Sequence, residues 1–570
     1  MICYGRFGEP RLNEKTVSAL SLITLSVFAV VALFMTSYSS AVSGKFLLAL
    51  FPLLVILFGV AFMRQSGLTM AFVGLFIAIM LAIFQFGTPF EVALGASAVG
   101  FVKSFAISIS VAATMLMIFL MKEAGALGTV SKVIKQQVAG DEIRALYIGI
   151  GFGSFLTSLG VVTPALFPPL LVTMGFTPTA AIAIAVLGYD PTTSFSLLSV
   201  PITLPAQIGG LNPIEFAFKI ALFLPVVSTG FSFAILWLLG GKQSMRKGAA
   251  PAAVCGLTLA FACLGTVSLD YFSGVEYVPL RVVGVIAGLC AMGSLLVYQK
   301  LKPSTERKQK DPDYPKRKEV FRAFSPWIIL AVLAAAISIP DVNRWLSDLP
   351  GELESVTIFA NQRVDLDFLG QIYTWIFVAV LLSLLTLKPT KAQVKNAFNV
   401  WLRRFWGPFL TFGVYFSISI VMAYSAMEIA GGKLVQSASY NMLNMNVILG
   451  VTLASIFGAG YIFVAASLGL FGAIVGGSEA SSNVLFLKIQ KTASDNIGLN
   501  QAGYMTVYGS HAVAGGIASS VTPAKINNAV VTIDAGKNTE SLIMRKHLIV
   551  ALLLTIVTGI LTGIFVNIGI

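Results

Sequence analysis

The chain has 570 residues, of which 56% are hydrophobic and 11% are charged, and its formal net charge is +13. A soluble surface needs about a quarter charged residues, so a soluble globular protein is excluded. Lysines and arginines in short loops between membrane segments account for the positive charge, which therefore does not indicate nucleic-acid binding.

Apolar runs long enough to cross a bilayer recur from residue 17 to residue 570. We therefore predict one all-α polytopic membrane domain, 1–570, with about 12–14 membrane segments of about 20 residues each. The runs 17–38, 46–63 and 68–86 carry no charge and are interpreted as plain scaffold spans. The segment 91–241 follows and is predicted to be the first of two repeat cores.

A polar, helix-breaking stretch from 151 to 205 interrupts the apolar sequence of the first core. Broken backbone at membrane depth persists only where protein buries it or where it lines a wet cavity. The stretch therefore indicates a translocation site. Its first tip offers the hydroxyls of Ser158 and Thr163.

The second break of this stretch begins at Asp190 and continues with Pro191, Thr192 and Thr193. An unpaired carboxylate in an apolar run is costly, so Asp190 needs a proton, a cation or a basic partner. The alternative is that Asp190 only caps a helix that begins at Pro191. The two roles are compatible.

Loop charges alternate through the middle of the chain. The segment 300–322 holds nine lysines and arginines, 341–367 holds six acids, and 388–404 is basic again. By the positive-inside rule, we predict that the two basic segments are cytoplasmic and that the acidic one is external. The segment 300–322 is also the predicted linker between the two halves.

The second repeat core, 405–570, contains a second broken stretch, 469–523. The tip of its hairpin carries polar side chains at Ser478, Glu479, Ser481, Ser482 and Asn483. These groups stand at the start of a helix, where unpaired N–H groups and the macrodipole attract a carboxylate. The pattern predicts an anion site without a cationic side chain. The alternative is a glycine- and serine-rich hairpin needed only for close helix packing.

Three pairs of residues in the two broken stretches correspond at offsets of 320, 321 and 322 residues: Thr163 with Asn483, Asp190 with His511, and Pro201 with Pro523. Paired discontinuous segments in matching halves are typical of transporters built from inverted repeats. Coincidence among apolar, glycine-rich runs is the alternative. A lone histidine is often only hydrogen-bonded core, but the pairing with Asp190 also makes His511 a candidate for proton coupling.

No enzyme signature is present: the sequence has no phosphate-binding Gly-Lys-Ser/Thr loop, no paired metal histidines and no nucleophile elbow. We therefore predict that the protein is not an enzyme and uses no cofactor or metal.

Several motifs resemble the L-lactate permease family of prokaryotic monocarboxylate symporters. In the second half these are GLFGAIVGGSEASSNVLF, KIQKTASDNIGLN and MRKHLIVALLLTIVTGILTG, and in the first half GFGSFLTSLGVVTPA and VPITLPAQIGGLNPIEF. The resemblance covers nearly the whole chain. It implies proton-driven uptake of lactate or a related hydroxy or keto acid such as glycolate, two inverted repeats with re-entrant hairpins, an elevator-like movement, a possible homodimer and location in the plasma membrane.

The chain departs from the family pattern at two places. Thr157 stands where the family's first tip has a glutamate, and Ser519 stands where the second broken helix has a lysine. We expect Asp190 and His511 to replace the missing acid as the coupling centre, together with Glu479, which matches an acid of the family pattern. The predicted substrate-binding residues are Ser158, Thr163, Thr192, Thr193, Ser478, Ser481, Ser482, Asn483 and Ser519.

The sequence thus predicts a secondary active carrier of a small organic monocarboxylate with proton symport. Its partners are the organic acid, the coupling proton and membrane lipid. The alternatives are sodium coupling, a channel-like organic anion transporter, and a membrane receptor without flux. A channel gives no uphill accumulation, and a receptor binds its ligand without flux.

Overall fold

The computed structural model describes residues 40–61, 67–160, 163–188, 190–302, 314–349, 355–476, 478–533, 535 and 537–570. The predicted span 17–38 lies outside these residues, as do residues 303–313 of the linker 300–322. Within the described part of the chain, eight helices are long and apolar enough to cross a membrane, and three further apolar helices are shorter.

The first half contains α1 (Ser40–Ala61), α2 (Gly67–Phe84), α3 (Phe90–Lys103), α4 (Phe105–Glu123), α5 (Ala126–Gln137), α6 (Asp141–Leu146), α7 (Gly153–Ser158), α8 (Thr163–Thr173), α9 (Pro178–Leu187), α10 (Ser196–Gly209), α11 (Pro213–Ala221), α12 (Leu224–Ser273) and α13 (Val283–Leu301). A π-helical turn, Tyr147–Phe152, joins α6 to α7. The helix α12 folds back on itself at Gly240 and Gly241, where the backbone is not helical.

The second half contains α14 (Arg317–Ser338), α15 (Pro340–Asp348), β1 (Ser355–Phe359), β2 (Gln362–Asp365), α16 (Ile372–Leu387), α17 (Lys391–Arg404), α18 (Trp406–Ala423), β3 (Met427–Ala430), β4 (Lys433–Gln436), α19 (Tyr440–Leu443), α20 (Met445–Phe457), α21 (Tyr461–Gly476), α22 (Glu479–Asn496), α23 (Gln501–Ala518), α24 (Pro523–Thr532) and α25 (Lys537–Asn567). The predicted all-α polytopic fold, with a hairpin and a broken helix in each half, is confirmed.

Two small antiparallel hairpins, β1–β2 and β3–β4, were not predicted. Each is closed by two residues with positive φ, Ala360 and Asn361 in the first and Gly431 and Gly432 in the second. Positive φ at both turn residues matches the right-handed twist of paired strands, which explains why such short strands form. Only the Gly-Gly pair is a clear hairpin signal in the sequence.

Two hydrophobic clusters organise the helices. The larger cluster contains residues of the first hairpin, the first broken helix, α12 to α14, α16 and α23. The second cluster joins α1, α2 and α3 to α18 and α20. The first hairpin and both broken helices have residues in the larger cluster, and the second hairpin has residues in both clusters. The polar side chains at the breaks are buried.

The orientation deduced from loop charge gives a direct prediction. In a cysteine-free background, single cysteines at Lys316 and Lys395 should react with a membrane-impermeant thiol reagent only from the cytoplasmic side, and one at Val356 only from outside. All three positions are exposed. Labelling of all three from outside would show that the charge rule misassigns this topology.

Candidate functional site

The first hairpin ends in buried hydroxyls. Within the described part of the chain, Ser154, Thr157 and Ser158 have side-chain oxygens that are buried and lack a hydrogen-bond partner. The turn that follows uses Gly160 at φ 89°, and Thr114 Oγ1 donates to the Gly160 carbonyl at 2.9 Å. The tip is therefore fixed through its backbone while its hydroxyls remain available. The side chain of Thr163 lies outside the described residues.

The first broken helix is interrupted between α9 and α10. A 3-10 turn, Thr193–Phe195, is followed by Leu197, Leu198 and Ser199, all with positive φ. Such a left-handed run costs about 1–2 kcal/mol per residue and persists only where the surroundings hold it. Ser199 Oγ donates to the Leu280 carbonyl at 2.8 Å, which is one such contact.

Asp190 lies in this break and is 3% exposed. Its carboxylate interacts electrostatically with Lys525 and with the hydroxyls of Ser519 and Ser520. Neither carboxylate oxygen accepts a hydrogen bond of good geometry from any described residue. No helix begins at Pro191, so the alternative that Asp190 only caps such a helix has no support in the structure.

The second hairpin turns at Ser478, which caps α22. The Ser478 Oγ accepts a hydrogen bond from the Ser481 backbone N–H at 3.1 Å, so one helix N–H is already satisfied by the protein. Ser481 Oγ donates to the Ser478 carbonyl at 2.9 Å. Asn483 Nδ2 donates to the Pro201 carbonyl at 3.0 Å, which ties this hairpin to the first broken helix.

Glu479, in the first turn of α22, points toward the first broken helix. Its Oε1 accepts a hydrogen bond from Ser194 Oγ at 2.6 Å, and the side chain is 1% exposed. The Glu479 Oε2 atom is buried and has no hydrogen-bond partner among the described residues. The two halves of the chain thus meet at a carboxylate that is only partly satisfied.

His511 lies in a buried hydrogen-bond network on the other side of α22. Tyr461 OH donates to Gln490 Oε1 at 2.8 Å, and Gln490 Nε2 lies 2.9 Å from His511 Nδ1. An amide nitrogen only donates, so Nδ1 accepts and the ring proton is on Nε2, which faces Ser482 Oγ at 3.1 Å. This arrangement satisfies a neutral ring and positions Ser482 rather than contacting Asp190.

Lys525, which the sequence analysis missed, is the cation of the site. It is the third residue of α24, directly after the second break, and it is 6% exposed. Asp190 and Glu479 both interact electrostatically with it. A lysine therefore lies beside the hairpin turn at which the sequence predicts an anion site without a cationic side chain. The available signal was a lysine inside the apolar run that follows Pro523, because intramembrane lysines are rare and functional.

A cavity of about 40 Å³ lies at the meeting point of the two breaks. The polar residues that line it are Thr193, Ser196, Thr411, Ser478, Glu479, Lys525 and Asn528. Its apolar wall includes Ile107, Val111 and Phe412, which belong to α4 and α18. This volume has room for only a few water molecules, so an organic acid enters only if the lining side chains move apart.

The structure brings part of the predicted set together. Thr193, Ser478 and Glu479 line the cavity, Asp190 interacts electrostatically with its lysine, and Ser519 lies beside Asp190. Thr192 is buried with an unpartnered hydroxyl in the same break, as far as the described residues show. Ser482 and His511 belong to the neighbouring network, and Ser158 packs against Gly284 of α13.

Comparison with known proteins agrees with this architecture. Residues 45–569 match the model of the L-lactate permease family. An L-lactate permease from Bacillus subtilis is 23% identical over 93% of this chain and 99% of its own length. The glycolate permease GlcA of Escherichia coli is 23% identical over 90% of this chain and 94% of its own length.

Among solved structures, the YdaH transporter of Alcanivorax borkumensis aligns over 89% of this chain and 99% of its own length, with 14% identity and a TM-score of 0.39. The family match extends through both hairpins and both broken helices, including the residues that line the cavity. The chain belongs to the L-lactate permease family.

Proposed function

We propose that this protein is a secondary active transporter that imports a small organic monocarboxylate, L-lactate or a related acid such as glycolate, by proton symport. Its family and the names of its relatives support a transporter of small organic acids. It is an integral membrane protein, and the bacterial origin of the relatives supports the plasma membrane of a prokaryote as its location.

The observation that carries this proposal is the cavity in which Lys525 meets hydroxyls and the start of α22 inside the membrane domain. A carboxylate there gains a charge-assisted hydrogen bond from the ammonium and a further bond from Ser196, whereas Thr193 Oγ1 already donates to the Asp190 carbonyl at 3.0 Å. The remaining wall is apolar, which suits the short carbon chain of such an acid. Larger or doubly charged acids lack a second cation in this wall.

The coupling residues proposed from the sequence were Asp190, Glu479 and His511. Two of these, Asp190 and Glu479, are buried acids that act on Lys525. The His511 ring is already engaged on both nitrogens by Gln490 and Ser482. The contacts therefore favour the two acids as proton carriers and a positioning role for His511.

The proposal includes an elevator-type movement, in which the hairpin-bearing core shifts against the scaffold of α1, α2, α3 and α18, and assembly as a homodimer. The support for the movement is that the cavity lies between the tip of the second hairpin, the first broken helix and the scaffold side chains Thr411 and Phe412. Separation of the core from the scaffold at this boundary is the simplest way to widen the cavity.

The experiment is uptake of labelled acids into proteoliposomes, with pH and sodium gradients imposed separately. We expect uphill accumulation of L-lactate or glycolate driven by an inward proton gradient and unaffected by sodium. Accumulation that requires a sodium gradient would show that sodium, and not the proton, is the coupling ion. Flux without uphill accumulation would indicate a channel, and binding without flux would indicate a receptor.

A further inference from the structure

Lys525 has two acidic neighbours, Asp190 from the first half of the chain and Glu479 from the second, and both attract its single ammonium group. We propose that Lys525 is an exchangeable counter-ion: it pairs with Asp190 in the empty carrier and with the substrate carboxylate in the loaded one, and the displaced Asp190 takes up the transported proton. This inference rests on the proposed function and assigns its coupling step.

The position of Lys525 is costly unless acids compensate it. A cation in the first turn of a helix is opposed by the macrodipole, and a buried ammonium needs a partner. Lys525 is the third residue of α24 and is buried, yet it lines the cavity. Such a residue contributes little to folding, so binding an anion is the role that its placement explains.

The two acids differ in how firmly the protein holds them. Glu479 accepts a 2.6 Å hydrogen bond from Ser194, which stabilises its position whether or not the cavity is filled. Asp190 accepts no hydrogen bond of good geometry from the described residues, although Ser519 and Ser520 lie beside it. The charge of Asp190 therefore depends mainly on Lys525, and it is the acid that a competing carboxylate displaces.

The exchange conserves charge at the site. In the empty state the ammonium of Lys525 balances the carboxylate of Asp190. When a monocarboxylate takes the ammonium, an ionised Asp190 would be left buried without a partner, which is strongly unfavourable. Asp190 instead accepts one proton from water on the open side, so one acid anion and one proton enter together and the net charge is unchanged.

The titratable groups that face Asp190 belong to three packed helices, α22, α24 and α25. Glu479 on α22 and Lys525 on α24 act on it directly. His547 on α25 reaches this break only through the Ser520 carbonyl, which its Nδ1 contacts at 2.9 Å. Ser228 of α12 donates to the Pro191 carbonyl at 2.8 Å and carries no charge. The exchange thus involves one base and two acids.

The test is to count protons taken up on binding, by titration calorimetry of purified protein with L-lactate in buffers of different ionisation enthalpy. For the natural protein we expect about one proton per bound lactate and an affinity that falls about tenfold per pH unit on the alkaline side. Binding without proton uptake, in a protein whose transport is proton-driven, would overturn the inference.

Variants separate the two acids. Asp190→Asn should bind lactate with almost no proton uptake and a pH-independent affinity, and it should retain lactate exchange while losing proton-driven accumulation. Asp190→Glu, which retains a carboxylate at this position, should keep the proton uptake. Proton uptake that survives in Asp190→Asn and disappears in Glu479→Gln would overturn the assignment. If Asp190→Asn does not fold, the number of protons taken up per bound lactate is still measured in Asp190→Glu and in the natural protein.

Failure of the coupling inference can be distinguished from failure of the proposed function. If no acid of the panel is bound or transported by the natural protein, the proposed function is wrong. If lactate is accumulated with protons but Asp190→Asn still couples them, only the exchange at Lys525 is wrong.

Discussion

Replacing Lys525 with methionine is expected to abolish proton-driven lactate uptake and to weaken lactate binding about ten- to a hundredfold. Methionine keeps the length of the side chain but removes the ammonium. A hydrogen bond to a charged group contributes about 1.5 to 3 kcal/mol, which corresponds to this change in affinity. Binding is measured by calorimetry and uptake in proteoliposomes, both at equal amounts of monodisperse protein.

The matched control is Lys219→Met. Lys219 is also buried, at 3% exposed, and lies on α11, where its electrostatic partner is Glu215. It does not line the cavity. We expect this variant to bind lactate with the affinity of the natural protein. If Lys525→Met binds normally, or if both variants lose binding equally, the ammonium of Lys525 is not the carboxylate anchor.

Gly469→Ala is expected to destabilise the second hairpin severely. An added Cβ at Gly469 of α21 would collide with the backbone carbonyl oxygen of His511 on α23. A backbone carbonyl cannot avoid the contact by changing rotamer as a side chain can, so the two helices must separate. The hydrogen-bond network of His511, Ser482 and Gln490 would move with them. We expect the free energy of unfolding to fall by about 1 to 3 kcal/mol, the usual range for overpacking. The midpoint of thermal unfolding in detergent should fall with it.

The control for this variant is Gly265→Ala in α12. No atom lies within 4 Å of a Cβ built at Gly265, so the same substitution meets no obstacle there. It should leave the midpoint unchanged or raise it slightly, because alanine is the better helix former. An unfolding midpoint for Gly469→Ala equal to that of Gly265→Ala would mean that α21 and α23 do not approach so closely.

The breaks were predictable because glycine, proline and hydroxyl residues interrupt otherwise apolar runs. Backbone N–H and C=O groups without hydrogen-bond partners are strongly unfavourable in lipid, so such breaks must be buried in protein or line a wet cavity. The meeting of Glu479 with Ser194 was not predictable. These residues lie in different halves, and spacing along a chain does not determine which faces of two helices pack together. The same limit applies to His511, whose partners Gln490 and Ser482 come from α22 rather than from the corresponding segment of the first half.

Lys525 was missed for a specific reason. The sequence predicts that the broken stretch ends at Pro523, since proline at the first helical position marks a helix start. Acids, not bases, favour the first turn, so the helix rules gave no reason to look there for a functional cation. Tertiary packing brings two acids, Asp190 and Glu479, which compensate the charge of a lysine at this position.

The most direct test of the account is substrate protection of a cysteine in the cavity. Asn528 lines the cavity, so Asn528→Cys in a background without Cys3, Cys255, Cys263 and Cys290 should be modified by a small thiol reagent. The account predicts that saturating L-lactate slows this modification and leaves that of Lys433→Cys, exposed on β4, unchanged. Equal rates with and without lactate, in a protein that transports it, would place the transport site elsewhere.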